Sequence, residues 1–215
     1  MRSRSSLLSH LIGSSEDVIG NSELQISYTN HIKGKIKANQ CLNDKNSTKY
    51  YFDKILHSGL TQNSSFFECK NCKYIFLIRE PESTLKSLVK MYFDEKLDNK
   101  MERAHRYYVD RLLFLYKHHQ KNSQNYMIIN SDDIIYDTKN FLLNISKFLD
   151  FKKTLTKNYQ ITEQTGKIRS GDSSKNIFAG SILNDRDKVN QIDIEIPRHL
   201  LNSANKVYFN LLDKI

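Results

Sequence analysis

Apolar residues along this chain recur in two distinct rhythms, and each predicts a different element. Tyr74–Ile78 (YIFLI) and Tyr126–Ile129 (YMII) are continuous apolar runs rich in β-forming residues. Runs of this kind, short and unbroken, predict strands buried on both faces of a parallel sheet. Elsewhere the apolar positions repeat every three to four residues. Leu7–Ile12 does so after a serine-rich start, and Tyr50–His57 (YYFDKILH) does so again, so both predict helices. A helix is predicted from about Ser83, with Glu80 and Pro81 at its start, where proline is tolerated. Arg103–His119, carrying Leu112, Leu113 and Leu115, predicts a long helix. Asp137–Leu149 predicts an amphipathic one with Phe141, Leu142, Ile145, Phe148 and Leu149 on one face. Pro197 opens a last helix through Leu212, while Glu23–Tyr28 reads as a short strand or a loop. Strands alternating with helices imply an α/β fold around a parallel sheet.

The chain has 215 residues, a length that fits one domain spanning 1–215 with a sizeable core. Prolines occur only at Pro81 and Pro197 and glycines are sparse, so no linker or repeat is evident. Hydrophobic residues make up 39% and charged residues 27%, which excludes a disordered chain. No stretch approaches the roughly 18 apolar residues of a membrane span. The serines and His10 interrupt the N-terminal leucines, which argues against a secretory signal. The formal net charge of +9 favours an anionic ligand. That charge is spread out, without the block of like charges that marks a nucleic-acid tail, so nucleic acid is not the expected partner. Cys41, Cys69 and Cys72 are an odd set, and the single CxxC lacks the second pair a zinc site needs. They read as thiols of a reducing, cytoplasmic compartment, with no metal expected.

Three segments concentrate basic and hydroxyl groups. The first is RSRSSLLSHLIG, Arg2–Gly13, where hydroxyls, fixed cations and the N–H groups of a helix start converge as they do around an anion. It lacks the GxxxxGK[ST] of nucleoside-triphosphatases. The second is YIFLIREPESTLKSL, Tyr74–Leu88, in which Arg79 leaves the C-terminal end of a predicted strand, the end at which α/β folds bind ligands. Its planar guanidinium suits phosphate, and Ser87 offers a neutral donor eight residues on. The competing reading pairs Arg79 with Glu80 or Glu82 at a helix start. The third is TGKIRSGDSSKNIFAGSI, Thr165–Ile182, the richest Gly/Ser/Lys stretch, whose alternative is a surface loop.

In this order the segments resemble the sulfotransferase family that uses 3′-phosphoadenosine 5′-phosphosulfate. The resemblance covers Arg2 to about Ile182. It implies a P-loop-like three-layer sandwich, with helices flanking a central parallel sheet. In that family the phosphate turn follows a buried strand. Here only Met1 precedes it, so the first strand is expected to be supplied from elsewhere or to lie upstream of Met1, leaving a fold that lacks it within these residues. By the resemblance, Arg2, Ser3, Arg4, Ser5 and Ser6 form the 5′-phosphosulfate loop, with Arg4 standing where the family carries glycine. Arg79 and Ser87 match the 3′-phosphate motif, Gly171 and Asp172 match the late loop, and Lys167 and Arg169 are its basic candidates. The family's tryptophan after Gly-Asp is Ser173, and the chain has no tryptophan.

The implied reaction transfers a sulfuryl group in line to an acceptor hydroxyl on a glycan, lipid or small molecule, without a metal. Arg2 would stabilise charge on the departing phosphate. Glu23, which lies 21 residues after Arg2, is the first candidate for the base, and His57, beside Asp53 and Lys54, is the second. Two other classes stand beside this one. One is a P-loop kinase, which the missing GK[ST] opposes. The other is a non-catalytic binder of nucleotides or polyanions on a degenerate sulfotransferase fold.

Overall fold

A computed structural model describes residues 3–19, 28, 49–56, 67, 69–90, 96–120, 123–161, 165, 175–183 and 194–213. Backbone proximity groups the chain into two compact units. The first comprises Met1–Ser3, Tyr74–Asp132 and Asp185–Ile215; the second comprises Arg4–Lys73 and Asp133–Asn184.

In the first unit the two predicted strands form β3 (Tyr74–Ile78) and β4 (Tyr126–Asn130). They pair in parallel, Tyr74 opposite Tyr126 and Ile78 opposite Asn130. Tyr74, Phe76, Ile78, Tyr126 and Ile128 are buried, and the rings of Tyr74 and Tyr126 stack at 4.7 Å. Between the strands run α2 (Pro81–Val89) and α3 (Leu97–His119), and α6 (Arg198–Leu212) closes the chain. Helix α3 starts six residues before the apolar pattern announces it, because its first turn is polar. Its buried stripe is Met101, Ala104, Tyr108, Leu112 and Leu115, at steps of three and four. Leu113 falls off that stripe and is exposed. The stripe serves contacts of α3 with α2 and α6, the latter contributing Ala204, Tyr208 and Leu211 to the core. Each buried leucine or methionine among them contributes roughly 1.5–3 kcal/mol relative to exposure.

The second unit contains α1 (Ser5–Gly13), β1 (Val18–Ile19), β2 (Tyr50–Tyr51), α4 (Asp133–Tyr136) and α5 (Thr138–Phe148). Strands β1 and β2 pair in parallel. The predicted helix over Tyr50–His57 is therefore corrected, for its described part, to a strand at Tyr50–Tyr51 followed by non-helical chain through residue 56. The reason is a distant partner: Lys49 N–H and Tyr50 N–H both donate to the Asp17 carbonyl, and Phe52 N–H donates to Ile19. Asp17 itself is buried, and its carboxylate accepts from the Lys152 N–H at 2.8 Å. Helix α5 buries Phe141, Leu142 and Ile145, as its amphipathic pattern predicts, and Leu149 just beyond it is buried as well. It ends in a Schellman motif: Asp150 N–H donates to Lys147 and Phe151 N–H to Ser146.

Among the described residues the fold is mixed α/β with small parallel strand pairs, and no helix is long and apolar enough to cross a membrane.

Candidate functional site

The first candidate element is the turn into α1. Arg4 is the residue before the helix and adopts φ 54°, ψ 24°, the left-handed conformation. L-residues other than glycine seldom do so, because Cβ crowds the following carbonyl. Arginine has no acceptor atom, so it cannot cap the helix start, and none of its side-chain atoms does. A left-handed residue followed by right-handed ones turns successive N–H groups toward one side, the geometry of an anion nest. The positive end of α1 lies at the same place.

Ser5 and Ser6 begin the helix, half-buried. The Ser6 carbonyl accepts from Ser9 Oγ and from His10 Nδ1, each at 2.8 Å. The other ring nitrogen, Nε2, meets the Thr165 hydroxyl at 2.8 Å, and Tyr159 packs edge-on against the ring. Further along α1, Ser14 Oγ donates to the His10 carbonyl and accepts from the Gln160 N–H. These bonds fix the helix at both ends.

Lys54 completes this element. It follows β2, and its Nζ donates to Ser6 Oγ at 3.0 Å. Its backbone N–H donates to Asp53 Oδ1, and Asp53 also accepts from the Tyr28 hydroxyl. The short strand pair thus carries a fixed cation to the hydroxyl of the first helical turn. Lys54 is not among the residues read as site residues from the sequence, although the Asp53-Lys54 pair is the signal that marks it.

The second candidate element belongs to the other unit. Arg79 leaves the C-terminal end of β3. Its neighbours Glu80 and Glu82 are otherwise engaged. Glu80 caps α2, accepting from Ser83 N–H at 2.7 Å and Glu82 N–H at 2.8 Å, and Glu82 pairs with Lys86. Arg79 instead faces Asp132, with Nε 3.7 Å from Oδ1 and both side chains largely buried. The parallel register explains this, since Ile78 lies opposite Asn130 and the residues that follow each strand emerge side by side. Ser131 N–H donates to the Ile78 carbonyl at 2.7 Å, locking the two strand ends together. The Arg79 carbonyl accepts from the Tyr108 hydroxyl at 2.8 Å. Burial, and then the phenol of Tyr208 and the carboxylates of Glu80 and Asp132, push the Tyr108 phenol far above its ordinary value, so it stays a donor. Ser87 lies on α2, half-buried.

Ser3 is described and buried. Arg2, Glu23, His57, Lys167, Arg169 and Gly171 lie outside the described residues. So do Asp172 and Ser173; of the late loop, Thr165 and the stretch from Lys175 onward are described, the latter opening with a 3₁₀ turn over Lys175–Ala179. What fold and geometry define together is a mixed α/β protein that presents a basic, hydroxyl-lined helix start in one unit and a strand-end arginine in the other. No family model, curated protein or solved structure matches the chain.

Proposed function

We propose that this chain is a sulfotransferase that takes its sulfuryl group from 3′-phosphoadenosine 5′-phosphosulfate and passes it to an acceptor hydroxyl, a carbohydrate hydroxyl foremost. The observation that carries this reading is the backbone of Arg4. The position where the sulfotransferase loop has glycine is held here in the conformation glycine favours, by a residue that pays a steric penalty of about 1–2 kcal/mol to adopt it. Lys54 at Ser6 Oγ adds support, as a cation already set at the hydroxyl that would meet a 5′-phosphate.

In this reading the α1 N-terminus, Ser3, Ser5, Ser6 and Lys54 hold the 5′-phosphosulfate, and Arg79 and Ser87 hold the 3′-phosphate. Lys167, Arg169 and Gly171 belong to the late loop. The acceptor oxygen attacks sulfur while the bond from sulfur to the 5′-phosphate oxygen breaks. Its proton passes to Glu23, or to His57 in the alternative assignment. The products are the sulfated acceptor and 3′,5′-adenosine bisphosphate. Charge develops on the departing phosphate, where Arg2 and Lys54 stabilise it; catalysis rests on positioning and electrostatics.

A nucleotide binder without transfer is the second reading, favoured by Asp132, whose carboxylate competes with a phosphate for Arg79. The first test is thermal. Saturating 3′,5′-adenosine bisphosphate should raise Tm, by the equivalent of about 2.7 kcal/mol at a hundredfold excess over Kd. No shift rejects both readings. A shift without sulfate transfer to a broad acceptor panel leaves the second.

A further inference from the structure

The CxxC segment takes no part in the proposed nucleotide chemistry. Cys69 and Cys72 stand as half-buried thiols at the two ends of a tight turn. The turn is closed by the Cys72 N–H donating to the Cys69 carbonyl at 3.3 Å. Lys70 and Asn71 at its tip are exposed, as is Lys73 beyond it. A turn closed between residues i and i+3 holds its end Cα atoms within about 7 Å. A disulfide requires about 4.4–6.8 Å. The turn therefore brings the two Cα atoms to about the separation a disulfide spans. The downstream side of the turn is anchored, since Lys73 Nζ lies 5.0 Å from the centroid of the Phe148 ring on α5. One residue further on β3 begins, and there the chain passes from the second unit to the first.

We infer that Cys69 and Cys72 form a reversible dithiol–disulfide couple whose oxidising partner is a low-molecular-weight disulfide. One cysteine thiolate attacks the small disulfide, whose S–S bond breaks as a mixed disulfide forms and a first small thiol leaves. The second cysteine thiolate attacks the protein sulfur of that mixed disulfide, closes the Cys69–Cys72 bond and releases a second small thiol. The two protons lost by the cysteines end on the two small thiols, and two electrons have passed from protein to reagent. Proximity favours the second step, because the resolving thiol sits across one turn. The exposed tip gives the reagent access, and the two lysines suit an anionic disulfide such as oxidised glutathione.

The test uses the full chain carrying Cys41→Ser, incubated with oxidised glutathione under native conditions and read by intact mass and peptide mapping. The expected product is about 2 Da lighter than the reduced chain. It maps to a Cys69–Cys72 bridge and reverts with dithiothreitol. Adding Cys72→Ser should instead trap a glutathione adduct on Cys69. A lasting adduct with both cysteines present, or no native reaction where the denatured chain reacts, overturns the inference. The unsubstituted chain gives an independent check, in which a bridge from Cys41 to either residue also overturns it.

Discussion

Among the described residues, two other than glycine adopt left-handed backbone, Arg4 at the head of α1 and Asp150 just past the end of α5, and they do so for different reasons. At Asp150 the conformation completes a helix. It lets two N–H groups turn back to the carbonyls of Ser146 and Lys147, and Lys49 grips both the Asp150 carbonyl and its carboxylate. The strain is answered locally by bonds within the protein. At Arg4 the same dihedral angle precedes a helix: its carbonyl accepts from the Leu8 N–H at 3.2 Å, and its side chain makes no cap hydrogen bond. A helix start needs an acceptor for its N–H groups, and arginine brings more donors instead. Lys54 then adds a third set of donors at Ser6. The end of α5 satisfies itself within the protein; the start of α1 gathers donors, and in the proposed reading an anion answers them.

This contrast can be broken at either end. The largest effect is expected from Lys54→Ala. Loss of a charge-assisted hydrogen bond, about 1.5–3 kcal/mol, should weaken 3′,5′-adenosine bisphosphate roughly 10–100-fold in titration calorimetry. The Tm of the ligand-free protein should hardly move. Next comes Arg4→Gly. Relief of the left-handed strain, less the extra backbone entropy of glycine, should stabilise the chain by about 0.5–1 kcal/mol. That corresponds to roughly 1–4 °C in Tm for a chain of this size. Nucleotide affinity should fall less than in Lys54→Ala, because the nest itself is made of backbone while only the guanidinium donors are lost. A fall in Tm would mean that the Arg4 side chain, not its backbone, is what the turn requires.

Asp150→Gly should give a smaller gain, since glycine suits the end of a Schellman motif but the Lys49 contact is lost. It should leave nucleotide binding unchanged. The smallest effect is in pH. The hydrogen bond from Lys49, with its charge, holds the Asp150 carboxyl below the ordinary aspartate value. Stabilisation from this pair is therefore complete above about pH 4 and is lost as pH falls through the lowered value. Both groups are well exposed, so the effect is slight and shrinks with added salt. Acid titration of Tm in Lys49→Ala against the parent chain reads it directly.

What could be read in advance follows the range of the forces involved. β3, β4, α5 and α6 were legible as elements because their apolar rhythm is local, although in β3 and β4 alternate residues are buried and those between them only half-buried, not both faces as the unbroken apolar runs predict. Tyr50–Tyr51 was not. YYFDKILH carries helical spacing, yet its pairing with Val18–Ile19, more than thirty residues away, decides its form. The same holds for the candidate site. Arg79 was visible at a strand end, and its acidic partner was expected among its neighbours. Glu80 is drawn off to cap α2, Glu82 pairs with Lys86, and the parallel register supplies Asp132. Lys54 was visible as half of an Asp-Lys pair, but only the β1–β2 ladder brings it to Ser6. By the resemblance Arg4 stands where the family carries glycine, and its backbone takes the left-handed conformation that glycine favours.

The most direct measurement is a comparison of 3′,5′-adenosine bisphosphate with adenosine 5′-monophosphate, titrated into the parent chain, Lys54→Ala and Arg79→Ala. If the two elements hold the two phosphate ends, Lys54→Ala weakens both ligands by similar factors, while Arg79→Ala weakens the bisphosphate at least tenfold and the monophosphate little. Equal losses for both ligands in Arg79→Ala, or no binding of either to the parent chain, would contradict the account.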